Sequence, residues 1–86
     1  MQIEYSRAAV KALQRMDKAM RLRIRAGIEG LTEKPPKGDI KPMQGLPTGR
    51  YRLRVGGYRV LYTYRHDGTV EILCILDIGS RGDIYK

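Results

Sequence analysis

Arg50-Tyr51-Arg52-Leu53-Arg54-Val55-Gly56-Gly57-Tyr58-Arg59-Val60-Leu61-Tyr62 is the stretch from which the fold is read. Gly56-Gly57 can supply φ > 0 at both central positions, as a two-residue type I′ turn requires, so the stretch predicts a β-hairpin. On the first arm Arg50, Arg52 and Arg54 alternate with Tyr51, Leu53 and Val55, which puts the arginines on one face and the apolar residues on the other. On the second arm Tyr58, Val60, Tyr62 and Tyr64 share the apolar side, while Arg59, Leu61, Thr63 and Arg65 share the arginine side. Between Ile40 and His66 there is no Asp or Glu, so no carboxylate within that window neutralises the guanidinium groups. Like charges gathered on one face call for an anion. Phosphate matches the planar fork of arginine.

Outward from the hairpin, the elements follow from periodicity and punctuation. Residues 2–5 alternate as a short edge strand. Ser6 is a helix N-cap, and Ala9, Val10, Leu13 and Met16 form the stripe of the first helix. Asp17 caps a second helix whose stripe is Met20, Ile24, Ile28 and Leu31. Gly27 and Gly30 each cost that helix roughly 1 kcal/mol against alanine, which suits a close approach to a neighbouring element. Pro35-Pro36 ends the helix, and residues 33–48 read as a loop. His66-Asp67-Gly68 reads as a turn, and the nearly continuous apolar run of residues 70–78 as a central strand buried on both faces. The expected architecture is α+β, in the order β-α-α-β-β-β: a helix hairpin packed on a three- to four-stranded antiparallel sheet through Leu53, Val55, Val60 and Tyr62, with the arginines on the opposite face.

At 86 residues the chain is expected to form one domain. Seventeen Lys and Arg against nine Asp and Glu give a net charge of +8 and a pI of about 10.0, favouring a polyanionic partner: nucleic acid, an acidic protein or an anionic surface. The only cysteine, Cys74, sits in an apolar run and reads as an inert thiol. One cysteine and one histidine supply neither a disulfide framework nor a metal cluster, and no cofactor is expected. Gly56-Gly57 lacks the strand-to-helix context of a nucleotide loop. No charged-then-apolar leader and no run of membrane-spanning length is visible, so the expected location is the cytoplasm.

What remains is a guanidinium cluster with tyrosines. Such a set can stabilise a negatively charged pentavalent phosphate. RNA brings its own nucleophile, the 2′-hydroxyl, so a base and a cation near the departing 5′-oxygen would be enough for cleavage.

Residues 51–62, paired with Ile-Gly-Ser-Arg-Gly-Asp-Ile-Tyr at 78–85, resemble the RelE/ParE superfamily of bacterial toxins, and within it the RelE branch. The resemblance covers nearly the whole chain and implies a single RelE-like domain over residues 1–86. It implies the toxin of a type II toxin-antitoxin system, a ribosome-dependent endoribonuclease that cleaves mRNA in the A site by metal-independent 2′-hydroxyl attack. Its partners would be the ribosome, mRNA and a cognate antitoxin. The residue types of the motif match at Arg52, Arg54 and Arg59, implied to bind phosphate and stabilise the transition state. Arg81 is implied to support the leaving group, and Tyr85 to lie near the 2′-hydroxyl. Arg50, Lys41 and Arg65 are the expected RNA contacts around that set. Two departures stand out. Members often carry lysine where this chain has Arg52 and Arg54, and arginine does not give up its proton. The pair is therefore purely electrostatic here, leaving Tyr85 as the candidate base. Ser80 stands where several members have histidine or another basic group. The competing readings are a ParE-type toxin that poisons DNA gyrase by binding, and a non-catalytic basic interaction module.

Overall fold

The computed structural model describes residues 1–45 and 48–80. The elements run β1 (Gln2–Tyr5), α1 (Arg7–Gln14), α2 (Lys18–Gly30), β2 (Asp39–Pro42), β3 (Arg50–Val55), β4 (Tyr58–Asp67) and β5 (Val70–Ser80). Both helices start where their caps predict. Ser6 Oγ accepts from Ala9 N at 3.0 Å and Asp17 Oδ1 from Met20 N at 2.8 Å, each satisfying an N–H that the first helical turn leaves free.

The strands form one five-stranded sheet, ordered β1-β5-β4-β3-β2. The α+β class and the helix hairpin on a sheet are as expected, with two additions. Asp39–Pro42, inside the stretch read as a loop, pairs antiparallel with β3 as an edge strand. Its shortness and its proline hide it from pattern reading. And β1, expected at an edge, lies there parallel to β5 (Ile3 opposite Leu73), because the intervening chain returns β5 in the direction of β1. The turn before β5 also sits later than expected. His66 and Asp67 are extended and paired with Glu71 and Val70, and Gly68, at φ +64°, starts the reversal.

The helices cover one face. Leu53, Val60, Tyr62, Leu73, Ile75 and Ile78 from the sheet meet Ala9, Met16, Ile24, Ile28 and Leu31 from the helical layer. Full burial of each such aliphatic side chain contributes about 1.5–3 kcal/mol. Gly27 lets α2 close on β3: a Cβ there would stand 3.0 Å from Val55 Cγ2 and 3.4 Å from Leu53 Cδ2. Val10, expected in the core stripe, is instead 41% exposed. A helix turns about 100° per residue, so a neighbour of the fully buried Ala9 faces away from the sheet. β5 lies between β1 and β4 and buries Ile72, Leu73, Cys74 and Ile75 in succession, as a strand covered on both faces does. Among the described residues no helix is long and apolar enough to cross a membrane.

Candidate functional site

The β3–β4 ladder sets the arginine face. Arg54 stands opposite Arg59, Arg52 opposite Leu61, and Arg50 opposite Thr63. On the other side of β3, Lys41 pairs with Arg52 and Asp39 with Arg54. Directly opposed residues share a face, so Lys41, Arg50, Arg52, Arg54 and Arg59 gather on the side away from the helices. Residues two apart on a strand are spaced by about 7 Å, which makes β3 a row of evenly stepped cations.

At the tip, Arg54, Gly56, Gly57, Tyr58 and Arg59 line an open concavity of about 290 Å³. Gly56 has φ +59°, the left-handed conformation that the turn demands. Arg54 is exposed and Arg59 half-buried. Ser80 and Gly79, at the end of β5, stand opposite Tyr58 and Arg59, which line this concavity.

Arg52 departs from the solvated face that alternation suggests. It is 5% exposed, and its Nη1 is buried without a hydrogen-bond partner. Its counter-ion is Asp39, whose Oδ1 lies 3.8 Å from that Nη1. This corrects the expectation of a face without carboxylates. Asp39 lies one residue before the acid-free window, and the β2–β3 pairing carries it onto the arginine face. At 3.8 Å such a pair is worth between about 1 and 4 kcal/mol, depending on how far solvent screens it. That does little more than offset the cost of dehydrating a guanidinium.

Arg65 is not part of the tip cluster. Six residues along β4 from Arg59, or about 20 Å, its Nη2 donates to Glu4 Oε1 at 3.1 Å and its Nη1 to Cys74 Sγ at 3.7 Å. His66, in the strand beyond it, has Nε2 3.8 Å from Glu71 Oε2. Tyr51, Tyr62 and Tyr64 form a ring cluster with centroids 5.6–6.3 Å apart. Burial drives the Tyr62 phenol far above its ordinary range, helped by its neighbours Tyr64 and Tyr51. Tyr64 is raised by burial and then by Glu71, and its hydroxyl donates to Leu31 O at 2.8 Å. These two phenols are packing groups held neutral, not bases.

A family model of the ParE toxin of type II toxin-antitoxin systems (parDE) matches residues 3–85. The chain belongs to the RelE/ParE toxin superfamily. Solved structures agree. A chain of the archaeal RelE–RelB complex from Pyrococcus horikoshii OT3 is 32% identical, with TM-score 0.73, over 95% of this toxin and 96% of that chain. A chain of the RelB–RelE antitoxin–toxin complex from Methanococcus jannaschii is 28% identical, with TM-score 0.69, over 95% and 94%. The YoeB/ParE toxin from Agrobacterium tumefaciens shares the fold at TM-score 0.79 and 20% identity, over 94% and 99%. No curated protein matches closely enough to count as a relative.

For this toxin the structure brings Arg54 and Arg59 together at the hairpin tip, with Arg52, Arg50 and Lys41 in line behind them. It sets Arg65 apart. Arg81 and Tyr85 lie outside the described residues. Reading the sequence missed Asp39, and it placed Tyr58 on the apolar side of the hairpin. The signal for Asp39 was available only through the pairing of β2, a contact between segments separated by a loop. Tyr58 does pack against the core, and it also lines the concavity.

Proposed function

We propose that this toxin is a ribosome-dependent endoribonuclease that cleaves mRNA in the A site and so inhibits translation. The observation that carries the reading is the cross-strand placement of Arg54 and Arg59 over the concavity at the hairpin tip. Two guanidinium groups there can grip a phosphodiester and stabilise the extra negative charge of its pentavalent state. The 2′-oxygen attacks phosphorus while the bond to the 5′-oxygen breaks, leaving a 2′,3′-cyclic phosphate and a 5′-hydroxyl. Tyr85 takes the 2′-hydroxyl proton, Arg81 steadies the departing oxygen, and water supplies the proton that makes that oxygen a hydroxyl. Arg52, beneath the surface, adds positive potential. Arg50 and Lys41 hold the RNA backbone along β3. A contact from Arg65 to RNA requires releasing Glu4.

On this reading residues 1–86 act as one cytoplasmic toxin domain, needing no metal, and a cognate antitoxin restrains it. The complexes formed by the archaeal relatives support that partner. A second reading, gyrase poisoning by binding, is favoured by the match to the ParE family model. The test is purified protein on ribosomes programmed with a defined mRNA, with Arg81→Ala as control. Cleavage at the A site that the control loses supports the ribonuclease reading. Intact mRNA from folded protein, together with trapped gyrase–DNA complexes, overturns it in favour of the second.

A further inference from the structure

We infer that Asp39 is a positioning residue for the anion site, acting through Arg52. The inference rests on the ribonuclease reading for its consequence, but not for its geometry. Arg52 is nearly dry, and the Nη1 that faces Asp39 has no hydrogen-bond partner. Packing confines the stem of a side chain this deeply buried, and the charge partner adds the direction in which its guanidinium head is drawn. The carboxylate 3.8 Å away is the sole ion-pair partner found for it among the described residues. Asp39 is tied down in turn: it opens β2, and the ladder sets it opposite Arg54, with Lys41 opposite Arg52. Its own side chain is 55% exposed, so it reaches inward to Arg52 from the edge of the sheet while remaining in contact with solvent.

This placement has two opposing effects. Asp39 holds Arg52 in line beneath Arg50 and Arg54, fixing where the positive potential peaks. It also puts a negative charge against the path of an RNA backbone, which weakens plain electrostatic attraction. Removing its charge therefore separates binding from catalysis. A residue that merely supports the fold would not do so.

The experiment compares wild type, Asp39→Asn and Asp39→Glu. A short 2′-O-methyl RNA, which cannot be cleaved, is titrated by fluorescence anisotropy over a range of salt. Single-turnover cleavage is followed on programmed ribosomes, and the Arg52 side-chain N–H signals by NMR. Asp39→Asn is expected to bind the oligonucleotide more tightly, with a salt slope steeper by about 0.7 for one unopposed cation on a single strand. It is expected to cleave about 10- to 100-fold more slowly, the scale of a misplaced catalytic group. Its Arg52 signals should broaden through conformational exchange, and Asp39→Glu should restore both rate and signals. Unchanged Arg52 signals in Asp39→Asn overturn the inference, as does a wild-type cleavage rate. If wild type cleaves nothing yet the Arg52 signals respond as stated, the positioning role stands and the ribonuclease reading falls.

Discussion

Arg54 and Arg59 stand directly opposite each other across the β3–β4 ladder, just outside the Gly56-Gly57 turn. Like charges in that relation destabilise an antiparallel pair by a few tenths to about 1 kcal/mol. An anion drawn between the two guanidinium groups would offset that cost. Arg54→Gln should therefore keep or slightly raise the melting temperature at low salt while lowering RNA cleavage by about 10²–10³. Inorganic phosphate should raise the melting temperature of wild type more than that of the variant. A variant that melts far below wild type would show that Arg54 holds the hairpin together instead.

The approach of α2 to β3 depends on Gly27. Alanine there gains roughly 1 kcal/mol of helix propensity, but its Cβ would meet Val55 Cγ2 at 3.0 Å, and overpacking costs typically about 1–3 kcal/mol. Val55 is β-branched and stiff, so the clash is expected to win. Gly27→Ala should lose about 1 kcal/mol in urea unfolding. Gly30→Ala, whose nearest neighbour is Lys37 O at 3.4 Å, should cost less than Gly27→Ala. The reverse order would refute the close-packing account.

What was legible in the sequence and what was not divide by range. Ser6 and Asp17 act within three residues of themselves, and alternation on β3 fixes faces by local geometry, so caps, helices and the arginine face could be read directly. Strand β2 could not, because Asp39–Pro42 becomes a strand only by pairing with β3 across a loop. Alternation gives the side of a sheet but not the depth, so the burial of Arg52 was hidden for the same reason as its partner. His66 was misplaced by two residues because Asp67-Gly68 is a turn signal whose glycine, not its histidine, takes the positive φ. The C-terminal motif contributed through resemblance alone, its arginine and tyrosine lying outside the described residues.

Ser6 links the first helix to the sheet as well as capping it. Between Leu61–Asp77 and Tyr62–Ile75 the ladder skips Leu76, the extra residue of a β-bulge. The carbonyl of Leu76 accepts from the Ser6 hydroxyl at 2.7 Å, while Ser6 Oγ in turn accepts from Ala9 N. Ser6→Ala removes the cap and strands that carbonyl, at a combined cost of about 2 kcal/mol. Ser6→Thr should recover most of it in chemical denaturation. If alanine proves neutral, water satisfies both groups and the bulge does not need the helix.

The buried tyrosines predict how stability responds to alkali. Burial raises Tyr62 and Tyr64, and also Tyr5, where the charge of Arg25 opposes the rise. A phenol held neutral in the folded protein keeps its proton at a pH where the unfolded chain releases it. Below about pH 10 both states are protonated and these groups contribute nothing to the slope. Above it the unfolded state ionises first, so stability falls as pH rises. For the nearly inaccessible Tyr62 the fall approaches about 1.4 kcal/mol per pH unit. Urea midpoints measured from pH 8 to 11 should drop beyond pH 10, and Tyr62→Phe should flatten the drop. Phenolate absorbance near 295 nm should lag in the native protein and appear in full on unfolding. A Tyr62→Phe variant with the same alkaline slope as wild type would place the sensitivity in groups other than Tyr62.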